Sequence, residues 1–278
     1  MQYPTFKAKE NIMISIKNIA SPATEKKAEW CVFPGFNKRR VILTAEHAYT
    51  KEMAVKKLGK NAKALLGDTN TGWLARLGAL YMNSAYAIPK MHRIDADACK
   101  DPKMLGSGVR YMALVRGGAI KKTSILTHRN KGYLSYLLRY HSIIEYLRPD
   151  SIISVHGMSE EATNGRFDIL LGFNRDKSYI LGKKNAFAFR KELVKKIQAT
   201  ADIKLKIGIS RMFSGKTNFI LKKFVGDYNN CNDKKRIGLQ AEFSSMGRKQ
   251  LLPEYQIAVQ IMAEMMHEYW ERLAGEMH

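Results

Sequence analysis

The chain has 278 residues, 45% hydrophobic and 26% charged, which is enough apolar material for one large domain core or two small ones. Lys and Arg number 47 against 25 Asp and Glu, a net charge of +22 that favours anionic partners. Disulfide frameworks, CxxC zinc patterns and membrane spans are excluded: Cys31, Cys99 and Cys231 are odd in number and far apart, and no apolar run approaches the roughly 20 residues that a spanning helix needs.

The opening stretch, MQYPTFKAKENIM, lacks the apolar centre of a secretory signal, so a cytoplasmic, reduced protein is the expectation. Residues 11–18 and 29–33 read as early strands, followed by a turn at Pro34-Gly35. The run RRVILTAEH contains a buried strand over 40–46 and ends at His47, and a helix through KEMAVKKLGKNAKALL follows. TGWLARLGALYMNS (71–84) repeats apolar residues at helical spacing, and AYAIP reads as a short strand. Residues 109–116 form another strand candidate. The amphipathic segment 132–147 is a helix that stops before Arg148-Pro149, because a residue preceding proline is pushed out of the helical region.

Strand 151–155 follows at once and leads to His156-Gly157. FDILLGF (167–173) is a strand, 185–199 a helix, 203–209 a strand and 237–243 the last strand. A long helix starts at Pro253, with proline in its first turn. Its Met262, Met265 and Met266 suit core packing better than a cofactor site, although the helix also offers a surface for pairing into a homo-oligomer. Strands alternating with helices imply one α/β domain over 1–278, with 1–36 a strand extension and 252–278 a terminal helix. The near neighbours at 151–173 point to a mixed sheet.

Two buried strands that each deliver a histidine are unusual. Ligands of open parallel sheets bind at the carboxyl ends of the strands, so His47 and His156 could share one metal ion. Glu52, five residues after His47, would complete a two-His, one-carboxylate set and leave a position for water, as in catalytic zinc sites. The alternative is a hydrogen-bonded histidine beside an exposed glutamate. Glu46 competes as a carboxylate, but alternation along the strand points it away from His47.

Asp168 opens an apolar strand and needs a partner, either the free N–H of a ligating histidine or neighbouring Arg166. Glu242, near the end of a buried strand, is placed to take a proton from a metal-bound water and pass it on; an edge-strand glutamate is the plainer alternative. Arg129 in the loop THRNKG is a candidate clamp for a carboxylate. His141 falls at the edge of the apolar face of its helix.

The order of these motifs resembles the N-formylglutamate amidohydrolase family, among the zinc-carboxypeptidase-like hydrolases. The similarity runs from about residue 40 to 250. It rests on EHA (46–48), DTNTGWLARLGALY (68–81), SVHGMSEEATNGRFDILLG (154–172) and IGLQAEFSSMGRK (237–249). The resemblance implies a three-layer α/β/α fold of phosphorylase/hydrolase-like type, with a mixed, mostly parallel sheet. It implies one zinc ion per chain on His47, Glu52 and His156, with Glu242 as general base and then acid and Asp168 behind the ligands. The implied reaction is cleavage of an amide bond in a small carboxylated substrate, an N-acyl amino acid or glutamyl compound.

The family's Asp-x-Asn-Arg segment is replaced here by RIDADACKDP (93–102), so Arg129, Arg166 or Arg248 would have to hold the substrate carboxylate. The rival reading is a nucleic-acid-binding protein without catalysis, drawn from the charge. That charge is spread over short groups such as Lys56-Lys57 and Lys234-Lys235-Arg236, with no helix-turn-helix, zinc-finger or RNP-type signature.

Overall fold

The computed structural model describes residues 29–31, 40–48, 68–89, 98–99, 131–172, 183–201, 203–211, 213, 218–226, 236–250 and 252–275. The strand expected at 11–18, the helix after His47 and the strand at 109–116 lie outside them. In chain order the elements are β1 (Glu29–Cys31), β2 (Val41–Thr44), α1 (Thr71–Met82), β3 (Ala85–Ile88), α2 (Lys131–Leu147) and β4 (Ser151–Met158). They continue with β5 (Ile169–Gly172), α3 (Lys183–Ala201), β6 (Ile207–Ser210), β7 (Ile237–Ser244), α4 (Ser245–Gln250) and α5 (Pro253–Gly275).

Among the described residues, seven strands form one sheet in the order β1-β3-β2-β4-β7-β5-β6. The central run β3-β2-β4-β7 is parallel, β1 joins antiparallel at one edge, and the β5-β6 pair runs antiparallel to β7. The sheet is therefore mixed and mostly parallel, for a reason other than the one the sequence suggests. β4 and β5 follow each other along the chain but are not paired, because β7 lies between them.

Short, apolar, β-branched runs such as VILT and SIISV suit strands covered on both faces, and both faces are covered. Val41, Leu43, Ile153, Val155, Leu239, Ala241 and Phe243 point into a core shared with α1, α3 and α5. Ile42, Ala85, Ala87 and Ile152 point the other way, onto α2 and the short helical segment at 219–226. Met262, Met265 and Met266 are buried in the first core, as their spacing predicts.

α1 ends two residues before the sequence pattern does. Asn83 takes the left-handed conformation (φ 53°), and the N–H of Ser84 returns to Ala79 O at 2.9 Å. α2 ends at Leu147, and the following Arg148 has φ 44° and precedes Pro149. Strand pairing in the expected 203–209 segment begins only at Ile207. Among the described residues no helix is long and apolar enough to cross a membrane.

Candidate active site

The alternation that fills the two cores also builds a polar band. Odd-numbered residues of β4 and β7 face the α1/α3/α5 core, so the even-numbered Ser154, His156, Gln240 and Glu242 face the opposite side. The register aligns Thr44 with Ser154, Ser154 with Gln240, and His156 with Glu242. Three adjacent parallel strands thus carry polar side chains on one face at their carboxyl ends, the place where such sheets bind ligands.

β2 stops at Thr44, and residues 45–47 turn across the sheet edge. This turn delivers His47. β4 runs two residues past His156, because Gly157 and Met158 still pair with Phe243 and Ser244. His156 therefore lies inside its strand rather than at the tip. The two imidazole centroids are 4.9 Å apart in an edge-to-face arrangement.

Asp68 meets both rings. Its Oδ2 lies 3.6 Å from His47 Nδ1 and 3.4 Å from His156 Nδ1, and accepts the Gly157 N–H at 2.9 Å. Burial would raise the Asp68 carboxyl, but the hydrogen bonds and positive charge of the two histidines hold it well below its usual range. Asp68 precedes the turn at residues 69–70 that leads into α1. Its N–H donates to His47 O, and its own carbonyl accepts the N–H and hydroxyl of Thr71 at the start of α1.

Glu46, the competing carboxylate of the sequence analysis, is the second acid. Alternation turns it away from His47, yet on that side it meets the other histidine, with Oε2 3.2 Å from His156 Nε2. The Thr44 and Ser154 hydroxyls donate to its two oxygens at 2.6 and 2.8 Å. Burial opposes its charge, but His156 and the two hydroxyls prevail and keep the carboxyl below its ordinary value. His156 shows the converse. Burial would lower it, but Cys99, Asp68 and Glu46 together raise it well above the ordinary imidazole value.

Cys99 also went unnoticed in the sequence. Its Sγ lies 3.8 Å from His156 Nε2, and His47, Cys99 and His156 each offer a ligand atom within 4.8 Å of the others. His141 is 3.1 Å from Ala98 O through Nε2, and the Phe219 N–H donates to Cys99 O at 2.7 Å, so both neighbours fix this segment. Asn218 caps the following helical turn with its Oδ1 and places Nδ2 2.8 Å from Ser154 Oγ and 3.3 Å from His156 Nε2. Buried imidazoles and a thiol form a donor set suited to zinc.

The remaining expected residues are placed as follows. Glu242 is buried in the band beside His156, with Gln240 Nε2 donating to its Oε1 at 2.7 Å. Burial raises its carboxyl, the charge of Asp68 adds to the rise, and His156, His47 and Gln240 oppose it. Asp168 precedes β5 opposite the end of β7, and its carboxylate accepts the Lys206 N–H at 2.7 Å. The acids against the imidazoles are Asp68 and Glu46.

Arg248 is buried, and its nitrogens donate to Phe243 O at 2.8 Å, Thr69 O at 2.6 Å and Met158 O at 3.4 Å. These backbone bonds engage the guanidinium expected to meet substrate. Arg166 is exposed. Glu52 and Arg129 lie outside the described residues.

No protein-family model matches the chain, and no curated protein matches it. Solved structures do. The N-formylglutamate amidohydrolase of Ralstonia eutropha JMP134 is similar with a TM-score of 0.58 at 12% identity, over 89% of this chain and 99% of that one. The gene product Atu2144 from Agrobacterium tumefaciens is similar with a TM-score of 0.55 at 12% identity, over 94% and 99%. At these identities the likeness establishes the fold, the same α/β architecture as that amidohydrolase.

Proposed function

We propose that this protein is a metal-dependent hydrolase that cleaves an amide bond in a small carboxylated substrate of the N-acyl amino acid or glutamyl class. The observation that carries the reading is the convergence of His47, Cys99 and His156 at the carboxyl edge of the sheet, with Asp68 against both imidazoles and Glu242 alongside. The fold it shares with N-formylglutamate amidohydrolase agrees with that chemistry.

His47 and His156 would hold the ion, and Cys99, by its proximity, would take the third position that the sequence pattern gives to Glu52. Zinc bound there supplies a Lewis acid for the scissile carbonyl and a water of lowered pKa. Asp68 orients both rings through Nδ1, and the Nε2 of His156, with Cys99 and Glu46 beside it, would face the ion. Glu242, raised by burial, accepts a proton from the attacking water and returns it to the leaving amine. Arg129 or Arg166 would hold the substrate carboxylate.

Elemental analysis of purified protein tests the centre. Wild type should carry one zinc per chain, and His156→Ala and Cys99→Ser should lose it while Glu52→Gln retains it. Loss in Glu52→Gln with retention in Cys99→Ser would return the third position to Glu52. Absence of metal from wild type would end the proposal. Glu242→Gln should keep its metal and lose roughly 10²–10⁴-fold in turnover.

A further inference from the structure

Arg248 departs most from what its residue type suggests. A guanidinium near a proposed carboxylate-binding site reads as a substrate clamp. Here the group is buried, and its nitrogens donate to carbonyls of three separate segments: Phe243 at the end of β7, Thr69 in the loop carrying Asp68, and Met158 at the end of β4. Asn70 closes the arrangement by donating Nδ2 to Arg248 O at 2.7 Å. Gly157 makes room for it, since a Cβ at that position would lie 2.3 Å from Arg248 Cζ. The tethered segments are those bearing Asp68, His156 and Glu242, and Asp68 is itself bonded to Gly157 N–H. Planar, forked donors of fixed direction suit this task, whereas the three donors of lysine radiate from one nitrogen on a flexible stem.

We infer that Arg248 is a positioning residue that locks the Asp68 loop and the two strand ends into one rigid site and does not contact substrate. The inference rests on the metal-dependent reading above. Its consequence is that metal binding, rather than carboxylate recognition, weakens when Arg248 is disturbed. Removal of groups behind metal ligands typically costs about 10–100-fold in metal affinity.

The test uses the full chain, stripped of metal and titrated with zinc against a chromophoric chelator, and with Co(II) for its visible absorption. Arg248→Lys retains the charge. Gly157→Ala leaves the arginine intact but displaces it. Both variants, once shown by circular dichroism to be folded, should bind zinc about 10-fold or more weakly than wild type and show an altered Co(II) spectrum. Their double variant should be little worse than either single one, because both act on one contact.

Succinate serves as the carboxylate probe. Its half-saturating concentration, read from the Co(II) spectrum, should be the same in Arg248→Lys as in wild type. Wild-type zinc affinity in Arg248→Lys, together with a loss of the succinate response, would overturn the inference and make Arg248 the clamp. That outcome leaves the hydrolase reading intact. Failure of wild type itself to take up zinc or cobalt would overturn both.

Discussion

At the scale of single residues, the site is a set of opposed charges held out of water. His156 lies between Asp68 on its Nδ1 side and Glu46 and Cys99 on its Nε2 side. Its protonated form is therefore favoured well above the ordinary value near 6.5, and the Asp68 carboxylate is favoured far below its ordinary 3.8. The two groups stabilise the metal-free fold in opposite pH senses. The His156 contribution is complete below pH 6.5 and is lost as pH rises through its elevated folded value. The Asp68 contribution is present above pH 3.8 and is lost as pH falls through its depressed one. The melting temperature of the metal-free protein should thus decline on the alkaline side, and Asp68→Asn should flatten that decline. An unchanged profile in Asp68→Asn would show that the pair contributes nothing. Zinc must also displace a proton from His156, and its binding to a thiol releases another, so apparent zinc affinity should rise with pH, by about tenfold per unit for each proton released. Calorimetry in buffers of different ionisation enthalpy counts those protons.

At the scale of elements, α4 is the short piece that puts Arg248 in place, and its position depends on a glycine. A Cβ on Gly247 would lie 2.1 Å from Tyr255 Cζ, and the Tyr255 ring is fully buried at the start of α5. Its hydroxyl lies 2.5 Å from Ser244 Oγ, which ties α5 to the end of β7. Burial, with the charges of Asp168 and Glu160, pushes the phenol up to about 12, so it remains protonated at working pH. Gly247→Ala gains up to about 1 kcal/mol of helix propensity but forces overpacking that costs roughly 1–3 kcal/mol. Urea unfolding should show a net loss, with zinc affinity falling as α4 shifts. Equal stability would mean that Tyr255 can yield.

The elements differ in how far their sequence betrayed them. β2, β4 and β7 are runs of apolar residues, and the even positions of β4 and β7 place His156 and Glu242 on one face by simple alternation. Asp68, Cys99 and Asn218 come from turns, where no periodicity reports which way a side chain points. Asp68 is held by its N–H donating to His47 O, Cys99 by its carbonyl accepting the Phe219 N–H, and Asn218 by its side-chain Oδ1 accepting the Ile220 N–H. Asp168 was a plausible orienting acid because it precedes a strand. The parallel pairing of β5 with β6 brings the Lys206 N–H to its carboxylate instead.

At the scale of the whole molecule, the sheet order decides where chemistry can occur, and the charge decides what arrives there. β4, which bears His156, lies between β2 and β7, with further strands outside both, so the polar band sits over the middle of the sheet and away from its edges. Both faces of the sheet are covered by helices, which leaves the strand ends as the approach for a ligand. The chain as a whole carries +22 net charge. A field of that sign raises the encounter rate of an anion and leaves the bound chemistry unaltered. For the carboxylated substrate proposed here, kcat/KM should fall several-fold as NaCl rises from about 0.05 M to about 0.5 M, where the screening length shrinks to a few ångströms. kcat should hold nearly constant, because the buried charges around His156 are screened far less. An uncharged amide of the same acyl group should show almost no salt dependence in kcat/KM. Equal salt sensitivity for both substrates would mean that the basic surface does not steer the substrate, and the excess of Lys and Arg would then have to be explained by something other than delivery of an anion to the site.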